Sequence, residues 1–453
     1  MPAPRFLAPF SIADFRLLWA ASFVSRFGDG IYLVAIAWQT YAISNVPTAL
    51  SLVGLAATVP SLAFVLFGGA LADRFPRRRL MVIANVIQGL IVAAIGSLSL
   101  SGLLTLALLI PLVVVYSAAD ALFQPSSRSI LPQIVPVELR PQANGLLRLS
   151  GNLTVRLLGP ALGGLFIAAV STGGAFLIDG ATFFVSLTLL SLLSVRPATP
   201  ASAASETFGV VRASSIVNDL KEGLRFVLEQ RWILASMLSG AVGLLCYEGP
   251  KTVLLPYLVK NHFHGTAGDL GLVLATGGVG AVVTSFSISQ FGLPARRQTQ
   301  VRIMYGLWTL LILCIGGYAL AGAIWQLMVV AFVAMVCMIG GDIIWTTLLQ
   351  DMVPDRLLGR VVGLDQGVSF SLVPVSMVVS GALAQSFGTR PLMLAAGLSG
   401  GLFVALVFLA NPMLHRFPQR LDVGREAPER VSPATTGLLA GRAMATMDGH
   451  AGE

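Results

Sequence analysis

Charge is what this chain has least of. Asp, Glu, Lys and Arg make up 11% of its 453 residues, against roughly 25% in ordinary globular proteins. With 55% of residues hydrophobic, too little polar surface remains to face water on all sides, and a soluble fold is excluded. Cysteine is scarce as well: Cys246, Cys314 and Cys337 all fall inside apolar stretches, the setting of small buried thiols rather than of disulfides or a metal centre. Of the four histidines, His262 and His264 share a short polar stretch and His415 and His450 lie near the C-terminus, with no His-Glu-x-x-His spacing. A zinc hydrolase site is therefore not expected. No Gly-x-x-x-x-Gly-Lys-Ser/Thr loop occurs, so an ATP-driven engine is missing from this chain. Gly277-Gly278-Val279-Gly280 lies inside an apolar run with no strand before it and reads as a helix-packing surface. Neither an enzyme nor a cofactor is expected.

What the chain does have is long apolar runs. Crossing a bilayer core of about 30 Å takes about 20 apolar residues in a helix. Twelve runs qualify, near 15–43, 48–72, 79–102, 105–129, 143–170, 173–195, 232–258, 267–292, 298–321, 324–350, 357–387 and 390–412. The first is too long for a signal peptide and lacks a small-residue cleavage site, so it is expected to stay as a helix. The net charge of +8 is not gathered on one module as a nucleic-acid surface would require. Basic residues sit instead in alternate loops: Arg74, Arg77, Arg78 and Arg79 after run 2, Arg140 after run 4, Arg196 to Arg231 after run 6, Arg296 and Arg297 after run 8, and Arg356 after run 10. Lys260 and Arg390 are the exceptions. Positive residues stay on the cytoplasmic side, which places both termini there in a cell (inner) membrane protein.

The runs divide in the middle. Residues 1–195 form one six-run set and residues 232–412 another, with a linker at 196–231 whose second part, from Ser215 to Arg231, reads as an amphipathic surface helix. The tail, 413–453, is polar and expected to be disordered. The halves echo each other: Val135-Pro136 returns as Val353-Pro354, Gly145 as Gly363, and Asp29-Gly30 as Glu248-Gly249. Such echoes mark a parallel repeat of six helices.

Several charges fall inside the runs: Arg26 and Asp29 in the first, Asp120 in the fourth, Arg156 in the fifth, Glu248 and Lys251 in the seventh, Asp342 in the tenth. Each costs about 2.5–3.5 kcal/mol to place near a bilayer centre on insertion scales, so each has a use. Arg26 precedes Asp29 by three residues and Lys251 follows Glu248 by three, which puts each pair on one helix face. Arg156 lies at a similar depth and is a candidate counter-ion for Asp29 or Asp120. Two uses stay open, ion pairs that hold helices together and sites that carry protons or substrate. Asp179, Asp342 and Asp365 read as lying nearer the membrane boundaries. Phe27, Tyr32, Tyr116, Phe123, Tyr247 and Trp345 are candidates for aromatic cavity walls. The acids suit a cation, and Arg26, Arg148 and Arg156 suit an anion.

Between runs 2 and 3, Gly69-Ala70-Leu71-Ala72-Asp73-Arg74-Phe75-Pro76-Arg77-Arg78-Arg79 resembles the helix 2 to helix 3 signature of the major facilitator superfamily, with Pro76 where the family usually has glycine. Gly159-Pro160-Ala161-Leu162-Gly163-Gly164 resembles the helix 5 element of its antiporters, though Val155 stands where a further glycine is usual. Phe15-Arg16-Leu17-Leu18-Trp19, Gly28-Asp29-Gly30, Asp179-Gly180-Ala181-Thr182-Phe183 and Glu222-Gly223-Leu224-Arg225-Phe226 are similar to the branch that contains the enterobactin exporter and macrolide-efflux permeases. The resemblance implies an all-α membrane protein of twelve transmembrane helices in two pseudo-symmetric six-helix bundles, with helices 1, 4, 7 and 10 around a central cavity. It implies a gate in which Asp73, backed by Gly69, Arg74, Arg77 and Arg78, docks against the start of helix 11 near 357–360. The function it implies is export of a small amphipathic molecule by alternating access, as a proton antiporter drawing on the proton gradient. The expected partners are that substrate and the lipid bilayer, with no nucleic acid and a monomeric state. A lysophospholipid transporter or a nutrient importer of the same fold is the alternative, and a transport-dead receptor or scaffold comes after it.

Overall fold

The apolar runs become helices because in lipid every backbone N–H and C=O must find its partner within the chain. The computed structural model describes residues 5–72, 77–194 and 213–415, and no strand occurs among them. In chain order the membrane helices are α1 (Ala13–Ile43), α2 (Pro47–Ala72), α3 (Arg77–Leu100), α4 (Leu106–Ile134), α5 (Arg140–Leu153, continued through Thr154–Leu158 and Gly159–Val170) and α6 (Thr172–Ser191). The second set is α7 (Arg231–Gly249, continued through Pro250–Leu254, Leu255–Tyr257 and Leu258–His262), α8 (Ala267–Phe291), α9 (Arg297–Leu320), α10 (Ile324–Met352), α11 (Asp355–Phe387) and α12 (Thr389–Ala410). A separate helix, Ala213–Glu229, joins the halves. Eleven of the membrane helices are apolar over a full span among the described residues, and α2, at 26 residues, is the twelfth.

Large apolar side chains such as Leu90, Phe286 and Leu402 are exposed, as a bilayer-facing surface requires. Hydroxyls bond back into their own helices: Thr40 to the Ile36 carbonyl at 2.7 Å, Thr58 to Gly54 at 2.8 Å and Thr284 to Gly280 at 2.8 Å. That arrangement gives each of these hydroxyls an acceptor within its own helix. All three cysteines are free thiols.

The two halves repeat one packing plan. In the first, α3 packs on α4 and α6, α2 on α4, and α1 on α5 and α6; in the second, α9 packs on α10 and α12, α8 on α10, and α7 on α11. The halves then meet through α2 against α11 and α5 against α8. Glycine sets these distances. A Cβ on Gly30 would lie 2.7 Å from the Gly159 Cα where α1 crosses α5, and a Cβ on Gly249 would lie 2.2 Å from the Ser376 carbonyl oxygen where α7 crosses α11. Between the halves, a Cβ on Gly278 would lie 2.1 Å from the Arg156 carbonyl oxygen, and within the second half one on Gly280 would lie 2.5 Å from that of Phe332. The glycine cluster of α8 is thus a packing surface, as its position in an apolar run indicated.

Two helices depart from regular geometry. Thr154–Leu158 in α5 and Pro250–Leu254 in α7 are π-helical. Each adjoins a proline, Pro160 after the first and Pro250 opening the second, and the missing N–H of proline is a recurrent cause of such a wide turn.

Candidate functional site

Two chambers open inside the bundle, one between the halves and one against the first half. The first, about 320 Å³, is apolar and is built by both halves, with Tyr32, Ile36, Leu50, Leu274, Met335 and Met377 on its wall together with Arg156 and Lys251. The second, about 470 Å³, is polar and is built by α1, α4 and α5, with Arg26, Arg148, Arg156, Asn144, Asn152 and Ser127 among its lining residues. Val155 and Arg156 line both, so the chambers adjoin at Arg156. The polar one occupies the end of the bundle where Arg77, Arg140, Arg296 and Arg356 begin or precede their helices.

The opposite end is bolted shut. Asn261 Nδ2 donates to Asn45 Oδ1 at 3.0 Å, Tyr41 Oη to the Val253 carbonyl at 2.6 Å, and Ser51 Oγ to the Met377 carbonyl at 2.8 Å. Lys260 Nζ donates to the Tyr41 carbonyl. All four bonds run from one half to the other, so beyond the apolar chamber the halves act as one wall.

The sequence-derived charges separate into two environments. Asp29 sits inside the first half: Tyr116 Oη donates to its Oδ1 at 2.8 Å, and it feels the charges of Asp120 and Arg26. Arg26, Asp29 and Asp120 share one polar pocket with Ser25, Asn85 and Gln88. Glu248 forms an ion pair with Lys251 at 3.6 Å, and Lys251 also lies 5.5 Å from the Tyr247 ring centroid. Arg156 does not join the Asp29 cluster. It reaches across to the second half, with Nη1 3.9 Å from Met335 Sδ, and its charge is felt by Asp342. Asp365, on α11, accepts from Trp345 Nε1 at 3.0 Å.

Asp179 departs from expectation. Sequence position suggested a membrane boundary, but the residue is fully buried beside the middle of α1. Neither of its carboxyl oxygens has a hydrogen-bond partner. Gly28 gives it room, since a Cβ there would lie 2.2 Å from Asp179 Oδ1. The Thr182 hydroxyl next to it is spent on the Asp179 carbonyl at 2.7 Å. Above it the Tyr32 hydroxyl is buried without a partner, and the Tyr32 ring stacks on Tyr116 at 4.5 Å. Asn85 and Gln88, also missed, were visible as two polar residues three apart in the apolar run of α3.

Of the aromatic candidates, Tyr32 and Tyr247 line the apolar chamber and Phe123 the pocket beside Asp29. Phe27 packs against the core, and Trp345 packs on Trp232 and Trp308. In the helix 5 element, Gly159 and Gly163 abut α1 at Gly30 and Ile31, and Gly164 abuts α8 at Ala267. Of the expected gate, Gly69 lies within α2, Asp73 and Arg74 lie outside the described residues, and so does the Arg77 side chain. Arg78 Nε donates to the Leu190 carbonyl at 3.0 Å, capping the end of α6. At the start of α11, Arg360 pairs with Glu222 of the joining helix.

Comparison with known proteins agrees with this geometry. Residues 5–429 match the family model described as transmembrane secretion effector. The MFS-type transporter YfiS of Bacillus subtilis (strain 168) is 28% identical over 84% of this chain and 89% of its own length. The multidrug efflux pump Tap of Mycobacterium tuberculosis (strain ATCC 25618 / H37Rv) is 25% identical over 84% of this chain and 90% of its own. Among solved structures, the nucleoside transporter NupG superposes with a TM-score of 0.67 at 11% identity, covering 87% of this chain and 98% of that one, a likeness of fold alone. A twelve-helix membrane protein with two matched halves, a chamber between them and this match over most of its length, the chain belongs to the transmembrane secretion effector family of major facilitator transporters.

Proposed function

We propose that the protein exports a small amphipathic molecule from the cytoplasm by alternating access, driven by proton antiport. The observation that carries this reading is the pair of chambers adjoining at Arg156, one polar and one apolar, with the halves bolted together beyond them. A molecule with a polar and an apolar part fits such a pair. The alternate basic loops support cytoplasmic termini, which makes this the inward-open form, ready to load from inside. Release then requires the Asn45–Asn261 end to part and the basic end to close. The names of the efflux relatives support the outward direction.

Asp29 and Asp179 are the favoured proton carriers. Asp179 is buried with no hydrogen-bond partner, and Asp29, though it accepts from Tyr116, shares its pocket with a second acid, Asp120; an ionised group in either place would be costly, which makes each a place for a proton. Asp29 lies near enough to Asp179 and to the polar pocket for charge to be felt between them. The working unit is one copy of the chain in the cell (inner) membrane, with no cofactor and no nucleic acid.

The test is purified protein in proteoliposomes under an imposed pH gradient, with a panel of amphipathic solutes. Gradient-dependent accumulation of at least one, abolished by an uncoupler, is the expected result. Movement only down its own gradient would end the antiport reading, and growth-supporting uptake in cells would replace export by import.

A further inference from the structure

Both chambers are walled by cations. Arg26, Arg148 and Arg156 line the polar one and Arg156 and Lys251 the apolar one, and among the described residues no carboxylate is on either lining. Four acids of the interior are held elsewhere: Glu248 on Lys251, Asp29 under Tyr116, Asp365 under Trp345, and Asp179 behind Gly28. Among the described residues, Arg148 and Arg156 are in no ion pair. Arg148 is exposed on the chamber wall. Arg156 sits at the junction inside the π-helical turn of α5, and the charge of Asp342 reaches it without closing to a pair.

We infer that these chambers take an amphiphile with a single anionic head, a phosphate, sulfonate or carboxylate, which rests on Arg156 with its apolar body in the chamber bounded by Tyr32, Leu274 and Met377. The inference rests on the reading of these chambers as the transport site. A guanidinium presents two parallel donors to such a head, and Asn144, Asn152 and Ser127 add neutral donors along the approach. Arg148 stands two turns before Arg156 on α5, about 12 Å nearer the basic end along the axis. It is a first station for the head and Arg156 the second. A cationic head would instead meet the guanidinium groups of Arg148 and Arg156 with no carboxylate among the described lining residues, and juxtaposed like charges cost several kcal/mol. The apolar chamber, about 320 Å³, is at the small end for ligand pockets, which favours one chain or a compact ring system over a diacyl lipid.

The experiment uses the full chain in lipid nanodiscs, with empty nanodiscs as the blank, and radiolabelled dodecyl phosphate, dodecyltrimethylammonium and inorganic phosphate as probes. Dodecyl phosphate is expected to bind at least about tenfold tighter than either of the others, the value of one charge-assisted contact. Arg156→Gln should remove that preference while Arg156→Lys keeps part of it, and Arg148→Gln, at an exposed site, should weaken binding with an unchanged melting temperature. If Arg156→Gln does not fold, the Arg156→Lys and Arg148→Gln pair decides the matter. Two further arms separate the sources of the ligand: lysophosphatidylglycerol supplied in vesicles, and a water-soluble naphthyl carboxylate. Binding of either supports the inference and binding of neither overturns it. Equal or tighter binding of the ammonium, or unchanged dodecyl phosphate affinity in Arg148→Gln and the Arg156 variants, also overturns it. Gradient-driven export of a cationic amphiphile with no anion binding would sink the charge assignment and leave the transport reading standing. Failure of every solute to move in proteoliposomes would sink the transport reading itself.

Discussion

Asp29-Gly30 in α1 and Glu248-Gly249 in α7 hold the same place in the two halves, yet only the glycines do the same thing. Gly30 lets α1 meet α5 and Gly249 lets α7 meet α11, each with no room for a Cβ. The acids have parted. Asp29 lies in a closed polar pocket with Asp120 and Arg26, near the partnerless Asp179, whereas Glu248 is matched by its own Lys251 one turn on. The repeat therefore preserves helix crossings, which the fold needs twice, and leaves the side chains beside them to diverge. In this chain a buried cluster of carboxyls gathers in the first half, and the second half supplies chamber wall and the Glu248–Lys251 pair.

The largest effect should come from denying the halves their relative motion. Asn45→Cys with Asn261→Cys places thiols where two amides are bonded at 3.0 Å. Oxidation should reduce export to background in proteoliposomes and a reductant should restore it; full activity in the cross-linked form would show that the halves need not part there. Next in size, Asp29→Asn and Asp179→Asn should each slow uphill export by at least about tenfold, a loss of about 1.4 kcal/mol or more. Glu248→Gln, which breaks a partly exposed pair, should cost less than about fivefold. Reversal of that order would break the comparison between halves. Smaller again, and equal on the two sides, Gly30→Ala and Gly249→Ala should each destabilise by about 1–3 kcal/mol through overpacking, read as a lower melting temperature in detergent. Gly240→Ala, with nothing within 4 Å of the new Cβ, serves as the neutral control. The smallest effect belongs to Arg225→Ala, which removes an exposed i,i+4 pair with Glu229 worth about 0.3–0.5 kcal/mol.

The membrane helices were legible because lipid imposes length and apolarity on each span, and loop charge marks where each turns. Gly277 to Gly280 could be read as packing for the same reason, since an apolar run offers glycine nothing else to do. The site was legible only in part. Arg26 before Asp29 and Lys251 after Glu248 follow from helical spacing, and both associations appear. Asp179 could be seen as an acid but not as Asp29's neighbour, because which faces α1 and α6 turn to each other depends on Gly28 meeting Asp179 across the bundle. Arg156 was assigned to the wrong set of candidates for a related reason: the wide turn at Thr154–Leu158 carries it toward Met335, and no local pattern announces that turn.

Those wide turns have a consequence for how such a molecule can change. Each holds one residue of slack in the helical ladder, and a turn with slack can slide along its helix by a single position without moving either end. Arg156 and Lys251 both ride on one. A substitution far from the chambers that shifts the slack by one residue would swing a cation toward or away from the ligand while every helix crossing stays in place. Through that looseness, new cargo can be acquired by inheritance without rebuilding the scaffold.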